Sequence, residues 1–384
     1  MGRPVRARRH PTLLLAALLL LGVVAAACAA PPTASRAAPP AAAPAAATLG
    51  EPAPAAHAAT AAPQQAPLTT VRFAGQASTL SDAGLYLADA QGYFREQGIA
   101  LDRQVLAPPE AVPALASGQI EVSAVAPNAG LFNAIGRGIP LKIVADKGRA
   151  GPGFAFQSMV VRPELVDSGA LQEVRDLRGR RLAVPSTGTP LEASLVARLA
   201  AYDLSLADLQ TEILAFPDMA PALANGSVDA VLIIEPLATQ IANRGIGTIW
   251  NPHGELRFDQ QIAVITFGPA FAAAPDLARR WMVAYVRGLR LYDDAFLKGD
   301  PAARAAVIPV LAANTQVAPE LIEQIAAGRR LPGLDPDGRV DADALRSASA
   351  YWREQGLQTV DVDVDQLVAN EYVDYAVGAL GPYR

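Results

Sequence analysis

From Thr69 onward the apolar positions fall into two alternating rhythms. Short unbroken or two-residue-period apolar runs predict strands, and stretches with a three-to-four-residue period predict helices. Residues 71–74 read as a first strand, followed by a Gly/Ser loop over 75–81. Residues 82–97 predict a helix carrying Leu85, Leu87, Ala88, Tyr93 and Phe94 on its apolar side, with Gly98 closing it. Residues 99–105 give a second strand, 110–117 a short helix ended by Gly118, and 120–125 a third strand. A helix over 128–137 stops at Gly138, and 141–144 make a fourth strand. Strands joined by short helices imply parallel crossovers and an α/β architecture.

A second unit repeats this grammar: strand 181–184, helix 189–202, strand 211–214, helix 219–224 ended by Gly226, strand 229–234, a helix opening at Pro236, and strand 246–250. The segment from Ala114 to Val122 (ALASGQIEV) aligns with Ala222 to Ala230 (ALANGSVDA), so helix, Gly stop and acid-led strand occur twice. Two like-built lobes are the expectation, the first over 68–160 and the second over 161–260. The apolar segments 158–162 and 261–265 sit where the chain would cross between them and read as hinges. Beyond Pro275 the period is helical, over 276–297, 301–313, 318–327, 341–355 and 364–379. Together with a return strand this region, 261–384, is expected to pack on the first lobe.

The first 67 residues have a different texture. Arg3, Arg6, Arg8 and Arg9 precede an apolar run over 13–27, too short to span a bilayer and patterned as a signal peptide over 1–27. Val24-Ala25-Ala26-Ala27-Cys28 resembles a bacterial lipobox, which makes Cys28 the candidate lipidation site; an ordinary secretory cleavage site is the alternative. Ala25 stands where Leu is commonest. Residues 28–67, rich in Ala and Pro with nothing large to bury, read as an extended tether. These 67 residues hold five of the 32 basic groups and one of the 37 acidic groups, leaving 27 against 36 beyond them, a balance of −9. A body that acidic has no electrostatic footprint for nucleic acid. The only Cys is Cys28, and of three His only His253 lies beyond residue 67, so a Cys/His zinc site, a Cys nucleophile and a disulfide framework are excluded there. Asp335-Pro336-Asp337-Gly338 lacks the further ligands of a calcium loop and reads as a turn.

Several segments carry a resemblance. Ala83-Gly84-Leu85-Tyr86-Leu87-Ala88, Gly92-Tyr93-Phe94-Arg95-Glu96-Gln97-Gly98-Ile99, Gly138-Ile139-Pro140-Leu141-Lys142 and Asp176-Leu177-Arg178-Gly179-Arg180-Arg181-Leu182-Ala183-Val184-Pro185 occur in this order, followed by Glu235-Pro236. In this order they resemble the substrate-binding proteins of ABC importers for sulfonates, taurine, nitrate and thiamine pyrimidine precursors. The resemblance implies a two-lobed periplasmic-binding-protein-like (type II) α/β fold with its ligand in the cleft. It also implies a monomeric, membrane-tethered receptor that works with an ABC permease and needs no cofactor or metal.

Ligands of open α/β sheets sit beyond the carboxyl ends of strands. That rule selects five loops: 75–82 with Ser78 and Thr79; 126–129 with Asn128; 146–157 with Phe154 and Phe156; 185–190 with Ser186, Thr187, Gly188 and Thr189; and the strand end at Glu235 with Asp218 beside it. The fourth opens a helix, where free backbone N–H groups and the helix dipole favour an anionic or strongly polar group. Capping by Thr189 with Pro190 in the first turn is compatible with that role. Asn128 and Asp218 read either as ligand contacts or as helix caps, and the two Phe either as stacking rings or as local packing. Glu235 either meets a cationic ligand group, pairs with an Arg across the cleft, or is satisfied by backbone. The resulting expectation is a binder of a small anionic or planar heterocyclic molecule. A pyrimidine-synthase-like enzyme of the same fold is the alternative, weakened by the export signal and the absence of His from these loops, and an extracytoplasmic ligand sensor is another.

Overall fold

A computed structural model describes residues 67–76, 79–106, 108–254 and 258–384. Ten strands organise it: β1 (Thr69–Gly75), β2 (Ile99–Val105), β3 (Val122–Val125), β4 (Lys142–Ala150), β5 (Gln157–Val161), β6 (Arg181–Val184), β7 (Gln210–Ile213), β8 (Ala230–Ile234), β9 (Thr248–Trp250) and β10 (Gln260–Phe267). They form two five-stranded sheets, in the orders β2-β1-β3-β10-β4 and β7-β6-β8-β5-β9. In the first, β1 is parallel to β2 and β3 while β10 runs antiparallel to β3 and β4. In the second, β6 is parallel to β7 and β8 while β5 runs antiparallel to β8 and β9. The two sheets thus share one topology, each with a single reversed strand.

The doubled sequence segment has a physical meaning here. Arg72 on β1 donates its backbone N–H and its Nε to Glu121 at 2.8 and 3.0 Å, just before β3. Arg181 on β6 donates the same two groups to Asp229 at 3.0 and 3.2 Å, just before β8. Burial works to raise both carboxyls, but the bonds and charge of the arginines overcome it and hold both below the usual carboxylate range. One staple is built twice, at the amino ends of the central strands.

The structure corrects several expectations. Both predicted hinges are strands well inside the sheets, because an unbroken apolar run is what a strand buried on both faces needs. The chain instead crosses between lobes over 151–156 and again between β9 and β10, and the boundary set at residue 160 moves back so that all of β5 lies in the second sheet. The fourth strand extends past Val144 to Ala150, through the polar residues Asp146, Lys147 and Arg149, because β10 supplies a full partner along it. A bulge at Gly148, with φ of +149°, accommodates the register shift. The helix over 82–97 breaks at Gly92 into Ala83–Ala90 and Tyr93–Glu96, and the last helix breaks into Val364–Leu367 and Glu371–Leu380 where Val368 leaves to bridge Ile143 of β4.

Apolar clusters cover both faces of each sheet. The long helix Pro275–Phe296 anchors the first lobe, burying Trp281, Tyr285, Leu289 and Tyr292, with the Trp281 and Tyr285 rings stacked at 5.2 Å. Gly288 on this helix lies against helix Ala83–Ala90 so closely that a Cβ would stand 2.1 Å from the Gly84 carbonyl oxygen. The C-terminal helices pack mainly on this lobe, though helix Ala342–Glu354 also meets helix Pro190–Ala200 of the second. Among the described residues no single helix is long and apolar enough to cross a membrane.

Candidate binding cleft

A cavity of about 150 Å³ opens between the two sheets, walled by the ends of strands from both lobes. Gln76, Thr79, Ser81, Ala126, Lys147 and Gln260 line it from the first lobe, Gln157, Ser186, Thr189, Phe216 and Ile234 from the second, and Phe156 from the stretch that joins them. Gln260 donates to the Gln157 side chain across the gap. A larger recess, about 570 Å³, shares Pro190 and Gln260 and runs between helices Pro190–Ala200 and Ala342–Glu354. The smaller cavity is the stronger candidate because buried polar side chains converge in it from both lobes.

Of the residues singled out from sequence, Thr79, Phe156, Ser186 and Thr189 line this cavity. Ser78 and Cys28 lie outside the described residues. Phe156 is almost fully buried and belongs to the first-lobe core. Phe154 lies elsewhere, against Gly333, and walls a recess with Tyr292 and Phe296. Asn128 caps helix Ala129–Gly136 through the Leu131 N–H at 2.9 Å and borders a separate small recess. Asp218 is exposed; its helix starts earlier than predicted, at Phe216, so the carboxylate sits inside the first turn and caps nothing.

Loop 185–190 differs most from expectation. Thr189 caps the helix Pro190–Ala200 by accepting the Glu192 N–H at 3.3 Å, and the Glu192 carboxylate reaches back to accept the Gly188 N–H at 2.6 Å. The backbone amide expected to face a ligand therefore already holds a carboxylate of the protein itself. Thr187 is exposed and does not line the cavity. Burial pushes the Glu192 carboxyl up, against the pull of the Gly188 N–H and Tyr351. The Gly188 carbonyl in turn accepts the Ala129 N–H of the first lobe at 3.4 Å.

Glu235 is wholly buried (0 %) and needs no ligand. Its carboxylate accepts the Thr239 N–H at 3.1 Å, the Thr239 hydroxyl at 2.9 Å and Arg330 Nε at 2.8 Å. Arg330 follows helix Pro319–Ala327, so the pair joins the second lobe to the helical cover of the first. Further along the same helix face, Asn243 and Gln324 exchange two amide bonds. Burial still raises the Glu235 carboxyl, opposed by Thr239 and Arg330.

Four residues were missed in the sequence. Lys147, 3 % exposed, places Nζ 3.1 Å from Ser81 Oγ and 3.1 Å from Asp82 Oδ1. Gln157 and Gln260 form the cross-cleft amide pair. Glu192 fills the helix terminus. One signal was available: Thr189-x-x-Glu192 as a capping-box spacing.

Behind Lys147, burial pushes the carboxyl of Asp146 up to about 6, although it accepts bonds from Asp335 N, Gln261 Nε2 and Gly148 N. A carboxyl raised above its unfolded value binds its proton more tightly in the native state. The stability it contributes is present in full below about pH 4 and lost as pH rises through about 6. Urea midpoints measured across that interval should carry a falling component, and Asp146→Asn should flatten it; an identical profile in the variant assigns the titration to another group.

The family model described as NMT1/THI5 like matches residues 80–293. A comparison with curated protein sequences finds no match. Among solved structures, the chain is similar to the alkanesulfonate-binding protein SsuA from Xanthomonas axonopodis pv. citri bound to MOPS, at 22 % identity over 79 % of this chain and 99 % of that one, with a TM-score of 0.59. It is similar to the periplasmic nitrate-binding protein NrtA from Synechocystis PCC 6803, at 15 % identity over 82 % and 89 %, with a TM-score of 0.61. The desulfurization enzyme DSZB is also similar, at 18 % identity over 81 % and 99 %, with a TM-score of 0.55. These likenesses establish the fold, and the last of them shows that the fold also carries catalysis. Since the family model spans more than half of the sequence, the chain belongs to the NMT1/THI5-like family.

Proposed function

We propose that the chain is the extracytoplasmic solute receptor of an ABC importer, a monomer anchored through Cys28, that closes two lobes on a small molecule and presents it to a membrane permease. The observation that carries this reading is the polar cavity built from strand ends of both lobes, with Gln157 and Gln260 already bonded across it. A ligand touching both walls stabilises the closed arrangement by its differential affinity for that state. The names of the structural relatives, sulfonate and nitrate binders, point the same way. An enzymatic reading is less favoured because, among the described residues, the cavity wall holds neither Cys nor His.

A thermal-shift screen of the full chain against sulfonates, nitrate, pyrimidines, flavins and aromatic carboxylates tests the proposal. A true ligand at about 100 times its Kd stabilises by about 2.7 kcal/mol. Ser186→Ala should weaken the hit about tenfold with unchanged stability, whereas Thr189→Ala should also cost about 1 kcal/mol of stability through the lost cap. A hit that survives both substitutions at full affinity binds somewhere else.

A further inference from the structure

Resting on that reading of the cleft, we propose that its ligand carries no net negative charge and presents both a hydrogen-bond acceptor and a hydrogen-bond donor, as a lactam or amide does.

Two places at the cleft offer positive potential to an anion, and the protein sets one of its own carboxylates at each. Among the described residues Lys147 is the only charged side chain on the cavity wall, and Asp82 lies against its Nζ at 3.1 Å. Both side chains are almost completely buried, 4 % and 2 % exposed, so water screens this pair weakly and it acts as a compensated couple. The other place is the amino end of helix Pro190–Ala200, where Glu192 holds the Gly188 N–H. A ligand anion would have to displace one of these groups or accumulate beside it.

The remaining chemistry is neutral and two-sided. An ammonium has three N–H donors; Lys147 gives one to Ser81 and sits in an ion pair with Asp82, which leaves an N–H for the cavity. Gln260, 5 % exposed and on the same wall, has its Oε1 buried without a partner among the described residues. A buried acceptor left unpaired is costly, so it calls for an N–H or O–H from whatever occupies the cavity. A ligand with a carbonyl toward Lys147 and an N–H toward Gln260 satisfies both. The apolar remainder of the wall, with Phe156, Phe216 and Ile234, suits a compact flat body.

The test compares size-matched probes by calorimetry on the full chain: 2-pyrrolidinone, uracil and nicotinamide against propionate, methanesulfonate and nitrate. Expected is binding of at least one neutral probe, with every anion at least tenfold weaker. Asp82→Asn leaves Lys147 uncompensated and should strengthen the anions about tenfold. Gln260→Met, which disturbs no ion pair, should weaken the neutral probe tenfold or more, and by a larger factor than it weakens any anion. Methanesulfonate or nitrate binding the unmodified chain more tightly than every neutral probe overturns this inference and leaves the solute-receptor reading intact. Absence of binding by all six probes overturns the inference and counts against that reading as well. A neutral probe indifferent to Gln260→Met also sinks the assignment, whether or not the Asp82 variant folds.

Discussion

Replacing Arg330 with Met is expected to cost about 3–5 kcal/mol of folding stability, because it strands a fully buried carboxylate. Glu235 is 0 % exposed, and Arg330 is the only cation bonded to it among the described residues. Thr239 still supplies two bonds, which keeps the loss within the usual range for a broken buried pair. Removing the charge at both ends, with Glu235→Gln and Arg330→Met together, should recover most of the loss. The pH dependence has a definite sign. A carboxyl raised by burial stabilises the native state while protonated and loses that contribution as pH rises through its folded value, so the Arg330→Met deficit should shrink on acidification. Urea denaturation of the four members of the double-mutant cycle measures both effects. A single-variant loss below about 1 kcal/mol at neutral pH would show that solvent reaches Glu235.

Gly288→Ala should be the more damaging of two glycine substitutions at one helix crossing. In an exposed helix this change stabilises by about 1 kcal/mol. At Gly288, however, the added Cβ would stand 2.1 Å from the Gly84 carbonyl oxygen and 2.9 Å from the Ala88 nitrogen, both main-chain atoms that a rotamer change cannot move. The helices have to separate, and overpacking of that kind costs about 1–3 kcal/mol or more. Gly84→Ala meets first the end of the Leu289 side chain, at 2.6 Å, which can turn aside. Thermal melts should therefore rank the variants with Gly288→Ala below Gly84→Ala, and the reverse order would mean that the crossing is looser than described.

The alternation of strands and helices was legible because most strands are short apolar runs ended by Gly or loop residues, and because the lobe is written twice. Segment 114–122 against 222–230 foretold two sheets of one topology, and the Arg72–Glu121 and Arg181–Asp229 bonds are its physical content. The polar half of β4 was not legible: Asp146 and Lys147 belong in a buried strand only because Gln261, Ser81 and Asp82, all distant in sequence, satisfy them. The strand-end rule selects loops, and three residues chosen from them, Thr79, Ser186 and Thr189, line the cavity between the sheets. It failed where partners decide the role. Glu235 leaves a ligand, an Arg across the cleft and backbone as open readings, because the cation that decides among them stands 95 residues away, and Gly188 reads as a free donor although Glu192 occupies it.

The doubled staple also bears on how the molecule can move. Each one fastens two neighbouring strands at the pole remote from the cavity. On the proposed reading, capture changes the attitude of one plate to the other, taken up in the connector over 151–156 and in the link between β9 and β10. The energy of gripping a guest is then spent on orientation.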